Sequence, residues 1–259
     1  MCHLLTEQYF HEHEALFARL VRRSISLWSY LVRRSGFSNR PLGPPDWIQT
    51  PHSTEWALQE PFRSSYNSAI RRVGEDYRIP WRVQTLIWGA SVAIHRPGDF
   101  VELGTGRGFS MIAVAESVKS FHGLQKKIWC YDTFLKPDVT GLGQARFSDV
   151  YASDVVAVKE SFRDLNCVHF VVGDVRETLI ENVPDEISFL HVDLNDPSTE
   201  SWAIRVLWRR VVVGGIVILD DFANRGMEET NRIIRQTFHD LGCEVLSLPS
   251  GQGLVIRSA

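Results

Sequence analysis

The sequence predicts a doubly wound α/β fold, with a seven-stranded, mostly parallel sheet carried by residues 98–259 and helical segments ahead of it. Three observations carry this reading. From Asp99 onward, short apolar runs alternate with segments of helical period, the pattern of a parallel sheet covered on both faces. The first of these runs passes into a glycine-rich turn, V-E-L-G-T-G-R-G-F-S at 101–110, which opens a helix. Two short strand-like runs then close the chain without a helix between them, as a terminal hairpin would.

Taken in order, residues 1 to about 40 read as a helical prologue with Phe17, Leu20, Val21, Trp28, Leu31 and Val32 at helical spacing. Six arginines and no acid lie between Ala15 and Arg40. Such a helix can lie on an anionic membrane surface, or serve as a cap or homo-oligomer contact whose arginines face water. Arg40 to Pro51, with Pro41, Gly43, Pro44 and Pro45, reads as a linker, because proline lacks the backbone donor a helix needs. Residues 1–50 therefore form an extension and residues 51–97 a helical cap region, with helices expected at Glu55 to Tyr77, broken near Pro61, and at Trp81 to His95. Strands follow at Phe100 to Leu103, Ile128 to Tyr131, His169 to Val172, Ile187 to Val192 and Ile216 to Leu219. Between them helices are expected near Ser110 to Phe121, Val150 to Leu165, Arg176 to Glu181, Glu200 to Arg210 and Glu228 to Leu241. The closing hairpin takes Glu244 to Leu248 and Gly253 to Ile256, and Leu135 to Asp149, with Gly141 and Gly143, is a candidate lid.

Composition narrows the classes of partner. A net charge of -3 gives no footprint for nucleic acid, so a small-molecule or protein partner is favoured. No run approaches the roughly 20 apolar residues of a membrane span, and the N-terminus lacks the pattern of a secretory signal. Cys2, Cys130, Cys167 and Cys243 are scattered with no C-x-x-C pair, which suits a reducing cytoplasm.

In the turn after the first strand, Gly104, Gly106 and Gly108 let the backbone bend sharply and approach a ligand. The spacing is G-x-G-x-G, not the G-x-G-x-x-G of a dinucleotide site, and Glu102 stands two residues ahead. A carboxylate there suits the ammonium of a methionine moiety and opposes a phosphate, so S-adenosylmethionine is favoured over NAD. Ser110 opens the following helix, while Asp132, followed by Phe134 in Y-D-T-F, can accept from ribose hydroxyls. Asp174, in V-V-G-D-V, can reach an adenine edge or cap the helix that follows.

A carboxylate cluster is expected on the other side of the switch point. The fourth strand ends in F-L-H-V-D-L-N-D-P and the fifth in G-G-I-V-I-L-D-D-F, which brings Asp193 together with Asp220 and Asp221. Three converging carboxylates repel one another, and a hard divalent cation such as Mg²⁺ relieves this with an all-oxygen ligand set. Asp193 is also the candidate general base. Asp196, followed by Pro197, reads as a helix N-cap, and His191 as a buried histidine or a ligand-orienting group.

The motifs V-E-L-G-T-G-R-G, Y-D-T-F, G-D-V-R-E-T-L, L-H-V-D and G-G-I-V-I-L-D-D-F, in that order over roughly residues 80–257, resemble the macrocin O-methyltransferase family. That resemblance implies a class I, Rossmann-like methyltransferase acting on sugar hydroxyls. It implies that Glu102 and Asp132 contact S-adenosylmethionine, and that Asp193, Asp220 and Asp221 hold magnesium. The family typically reads D-G-D-L-Y-E-S after the fourth strand, where this chain has Asp193, Leu194, Asn195, Asp196, Pro197 and Ser198. Three other readings stay open: transfer to oxygen or nitrogen without metal, a non-catalytic cofactor-binding or membrane-associated accessory protein, and a nicotinamide-dependent dehydrogenase.

Overall fold

Strands that are apolar on both faces need helices on both sides, and the helical segments between them supply these. The computed structural model describes residues 46, 48, 53–122, 126–135, 154–224 and 226–258. The basic prologue, most of the proline-rich segment, and the candidate lid beyond Leu135 lie outside the described residues.

A 3-10 turn at Glu55–Leu58 leads into α1 (Phe62–Val73) and α2 (Pro80–Ala93). The alternating region follows as β1 (Asp99–Leu103), α3 (Phe109–His122), β2 (Ile128–Asp132), α4 (Val155–Ser161), β3 (Val168–Val172), α5 (Val175–Glu181), β4 (Ile187–Val192), α6 (Pro197–Leu207), β5 (Val211–Leu219) and α7 (Glu228–Asp240). The chain closes with β6 (Leu246–Ser247) and β7 (Gly253–Ile256). The seven strands lie in the order β3-β2-β1-β4-β5-β7-β6, with β7 antiparallel to both neighbours. This is the sheet the sequence predicts. Strand order reverses between β1 and β4, and such a switch point opens a crevice at the carboxyl ends of the strands.

Local chemistry sets the element ends. Gly74, at φ +80°, stops α1, and Pro80 opens α2 at a position where its missing donor is not needed. Asp154, Asp174 and Asp196 each accept a backbone N–H at the start of α4, α5 and α6.

Several expected boundaries move, among them the helix expected to Tyr77, which ends at Val73. The helix expected at 150–165 is described only as α4, Val155–Ser161, and residues 150–153 lie outside the described residues. The helix expected from Glu200 begins at Pro197, where Asp196 and proline nucleate it together. The fifth strand begins at Val211, not Ile216, because Gly214 (φ +78°) and Gly215 take up a bulge: Ile187 pairs with Val211, and Phe189 with Ile216.

Alternation along the strands divides the core. Phe100, Cys130, Phe189, Ile216 and Ile218 pack under α1, α2 and α3, while Val101, Leu103, Leu190, Val217 and Leu219 pack under α6 and α7. Gly89 in α2 brings the helix close to the sheet, since a side chain there would meet Ile218 and Phe189 at about 3 Å. Cys130, Cys167 and Cys243 are free thiols. Among the described residues no helix is long and apolar enough to cross a membrane.

Phe189 is fully buried between α2 and the central strands. Phe189→Ala is expected to lower unfolding free energy by about 3–5 kcal/mol, read by urea titration of the full chain.

Candidate active site

The site is a consequence of strand register. Glu102 in β1 is the register partner of His191 in β4, and His191 in turn is the partner of Ile218 in β5. Two residues on, the same face of the sheet carries Asp193 and Asp220 beyond the strand ends. Backbone bonds fix both tips: Asp193 N–H donates to the Leu103 carbonyl at 2.8 Å, and Asp220 N–H to the Val192 carbonyl at 3.0 Å. Asp193, Asp220 and Asp221 each offer a carboxylate oxygen, and these lie within 4.8 Å of one another.

A cation of the chain itself enters this cluster. Arg82, from the first turn of α2, donates Nη1 to Asp220 Oδ2 and reaches Asp221 Oδ1 at 3.0 Å. Its Nε stands 3.9 Å from Asp46 Oδ1. Asp46 Oδ2 accepts the Trp81 N–H at 2.6 Å, which pins that carboxyl to the start of α2. Burial raises the Asp46 pKa to about 6 against the opposing pull of that N–H and of Arg82.

Behind Asp220 the ionisable row continues inward. His191 Nε2 lies 3.8 Å from Asp220 Oδ1, and His191 Nδ1 lies 3.0 Å from Glu102 Oε1, with both His191 and Glu102 only 1% exposed. Burial alone would depress the His191 pKa, but Asp220 and Glu102 raise it to about 10, so the imidazole is a cation held between two acids. Burial raises the Glu102 pKa as well, and the bond and charge of His191 oppose that rise. Asp193 is pushed well above the ordinary carboxylate range, first by burial and then by the charges of Asp220 and Asp221. Asp221 is raised by burial and by Asp220. For Asp220, burial is outweighed by Arg82 and His191, which hold it below its usual value.

The glycine turn abuts the same tips, and its three glycines have different reasons. A Cβ on Gly104, at φ +87°, would lie 1.8 Å from the Asp193 carbonyl oxygen, so this glycine lets the β1 and β4 ends close on each other. At Gly108 a side chain would strike the Phe162 ring. Gly106, at φ +52°, has nothing within 4 Å and faces open space, as a ligand-facing turn residue would. Its N–H donates to Asp132 Oδ2 at 2.7 Å, and the Phe134 N–H donates to Asp132 Oδ1 at 2.7 Å. Asp132 therefore locks the turn to the end of β2, with further lone pairs on each oxygen.

The remaining expected residues lie near the turn, in the core or at helix starts. Glu102 is buried near the end of β1, where its carboxyl faces His191 and lies near Thr105 of the turn. The Phe134 ring is 2% exposed and packs near Phe170, so it belongs to the core and not to the crevice. Asp174 caps α5 through a 2.8 Å bond from the Arg176 N–H. Ser110 sits half-buried in the first turn of α3. Asp196 caps α6, as expected.

Sequence reasoning missed Arg82, Asp46, Gln252 and Glu200. Arg82 carried a readable signal: it is the lone charged residue in the otherwise apolar or neutral P-W-R-V-Q-T-L-I-W-G-A-S-V-A of α2. Gln252 Nε2 donates to Asp220 Oδ1 at 3.3 Å. Glu200 Oε1 accepts the Leu194 and Asn195 N–H groups at 3.2 and 3.1 Å, which holds the loop that carries Asp193.

A reversed strand order with β7 antiparallel, a glycine turn after β1 and acids at the β1, β2, β4 and β5 ends define a class I methyltransferase. The sequence model of the macrocin O-methyltransferase (TylF) family matches residues 87–241, more than half of the chain, and the chain belongs to that family, as an S-adenosylmethionine-dependent O-methyltransferase. It is 28% identical over 184 residues to demethyldecarbamoylnovobiocin O-methyltransferase of Streptomyces niveus, covering 61% of this chain and 69% of that one. Its fold is similar to that of the O-methyltransferase NovP (TM-score 0.60, 22% identity, 74% of this chain and 88% of the other). It is also similar to CalS11, a TDP-rhamnose 3'-O-methyltransferase of calicheamicin biosynthesis (TM-score 0.52, 15% identity, 80% and 96% covered).

Two outcomes follow from this geometry. Gly104→Ala should destabilise the fold by about 1–3 kcal/mol from the left-handed backbone alone, with the clash at Asp193 adding to it, as read by chemical denaturation. His191 gains its proton affinity on folding, so its stabilising contribution is complete below its ordinary value near 6.5 and is lost as pH rises toward about 10. The stability gap between the native chain and His191→Gln should therefore narrow between pH 6.5 and pH 10 in urea titrations. A gap that widens with pH would assign the imidazole a neutral role.

Proposed function

We propose that this chain methylates a hydroxyl of a small, sugar-like acceptor with a divalent cation held by Asp193, Asp220 and Asp221. The observation that carries the proposal is the meeting of those three carboxylates within 4.8 Å at the switch-point crevice, directly against the glycine turn. The donor set is all oxygen, as Mg²⁺ requires, and the guanidinium of Arg82 offsets only part of its charge.

The acceptor class rests on the relatives: one acts on demethyldecarbamoylnovobiocin, and another is a 3'-O-methyltransferase of TDP-rhamnose. Gly106, the Asp132 carboxylate and the start of α3 at Ser110 are the groups proposed to receive S-adenosylmethionine, with Gly104 and Gly108 shaping the turn. Glu102 and Asp174 support that surface from β1 and from the α5 cap. S-adenosylmethionine supplies an electrophilic methyl group on a sulfonium. A bound divalent cation would orient two acceptor oxygens and lower the pKa of one.

What the chain itself does is receive the proton. Asp193, at the β4 tip beside the glycine turn, would take the hydroxyl proton as the oxygen attacks. Asn195 Nδ2, 3.2 Å from Asp193 Oδ1, orients that base. Gln252, His191 and Arg82 hold Asp220 as a permanent anion beside it.

A second reading has one observation in its favour: Arg82 already bridges Asp220 and Asp221 and offsets part of their charge, so Asp193 would serve as base without metal. The two differ in a direct assay. Asp193→Ala and Asp221→Ala are each expected to cut methyl transfer by about 100-fold or more while S-adenosylhomocysteine binding, read by calorimetry, is largely retained. Activity should vanish in EDTA and return with Mg²⁺. Full turnover in EDTA with Asp193→Ala inactive would establish the metal-free route instead.

A further inference from the structure

The donors around the acidic cluster are unevenly distributed, and their distribution constrains how a cation could enter. Asp220 has both oxygens engaged: Oδ2 by Arg82 Nη1, Oδ1 by Gln252 Nε2 at 3.3 Å with His191 Nε2 at 3.8 Å. Asp221 Oδ1 carries Arg82 Nη1 at 3.0 Å and Asn224 Nδ2 at 2.5 Å. Any ion that takes an oxygen from each of the three acids must therefore take one from Asp220 that a donor of this chain already holds. Gln252 is buried, and His191 is fixed on its other side by Glu102. Arg82 is the donor with somewhere to go.

Its alternative partner is in place. Asp46 is a carboxyl only 3% exposed along its side chain, and its Oδ1 is buried without a hydrogen-bond partner, although Arg82 Nε lies 3.9 Å away. Unpartnered buried acceptors are costly, and this one faces Arg82 Nε, whereas Asp220 and Asp221 face Nη1. Asp46 cannot follow the guanidinium, because its Oδ2 is tied to the Trp81 N–H. A small shift of the guanidinium would complete that acceptor while freeing Asp220 Oδ2 and leaving Asp221 Oδ1 with Asn224 alone.

We propose that Arg82 is a two-position guanidinium, bridging Asp220 and Asp221 when no cation is bound and passing to Asp46 when a divalent cation takes those oxygens. Cation binding is then an exchange of one positive charge for another, and Asp46 sets its cost. The proposal rests on the metal-assisted reading above. Repulsion between a guanidinium and a divalent ion sharing the same carboxylates supplies the direction of the shift.

The test uses Mn²⁺ as probe, with binding to the full chain followed by the electron paramagnetic resonance of the free ion. Arg82→Gln removes the competing charge and should bind Mn²⁺ about tenfold tighter or more. Asp46→Asn keeps the acceptor for the Trp81 N–H but removes the charge that receives Arg82, and should bind Mn²⁺ several-fold more weakly. The double variant should bind like Arg82→Gln alone, because Asp46 acts only through Arg82. Arg82→Lys, which keeps the charge, should stay near the native affinity, and S-adenosylhomocysteine binding reports that each variant folds. If the native chain binds Mn²⁺ and Arg82→Gln binds equally or more weakly, Arg82 is a fixed support of the site and the exchange is wrong. If Asp46→Asn binds Mn²⁺ as the native chain does, Asp46 is no receiving partner, and the two-position device is likewise overturned. If neither the native chain nor Arg82→Gln takes up Mn²⁺, the metal-assisted reading itself fails and the exchange falls with it.

Discussion

Asp220 stands between two cations that belong to the chain, Arg82 on its outer side and His191 on its inner side, and the remaining residues of the site are arranged about that pairing. A carboxylate withdrawn from water requires compensating charge, and a cluster of three requires more than one compensating group. The chain provides it from two directions. His191 comes from within the sheet, where Glu102 on the neighbouring strand keeps it protonated. Arg82 comes from the helix packed over the sheet, where Asp46 steadies it.

This pairing explains details that otherwise look unrelated. Gly89 lets α2 settle close to β4 and β5, which brings the first turn of that helix within reach of Asp220. Gly104 allows the β1 end to press against the backbone of Asp193, so the glycine turn and the acidic cluster share one wall. Glu200 ties down the loop after β4 from α6, and Asn195, at φ +58°, turns its amide toward Asp193. An acid in the place of Asn195 would add to the repulsion, whereas the amide donates a hydrogen bond.

Much of the fold was legible in the amino-acid pattern, because strand alternation, proline placement and N-cap aspartates act over a few residues. Asp196 with Pro197 marked a helix start, and the acids at the ends of β4 and β5 were expected to converge, as they do. Pairings across long sequence distances were not legible. Nothing near Glu102 in the sequence shows that it faces His191, since that depends on the register of β1 against β4. Arg82 is separated from Asp220 by 138 residues, and its solitary charge in an apolar helix was the one local hint. The β5 start was misplaced for a related reason, as a double glycine signals a loop unless a neighbouring strand turns it into a bulge. The burial of the Phe134 ring against Phe170 was likewise not legible, while its backbone N–H holds Asp132.

One consequence concerns modularity. Since α2 delivers Arg82, the helical region ahead of the sheet contributes directly to the electrostatics of the acidic cluster, and the two halves cannot be treated as a scaffold and a replaceable lid. Grafting the corresponding helices of a relative onto this sheet would transplant a different counter-charge along with them. Recombination within the family should then succeed only when crossover points keep that helix and the tip of the fifth strand from the same parent.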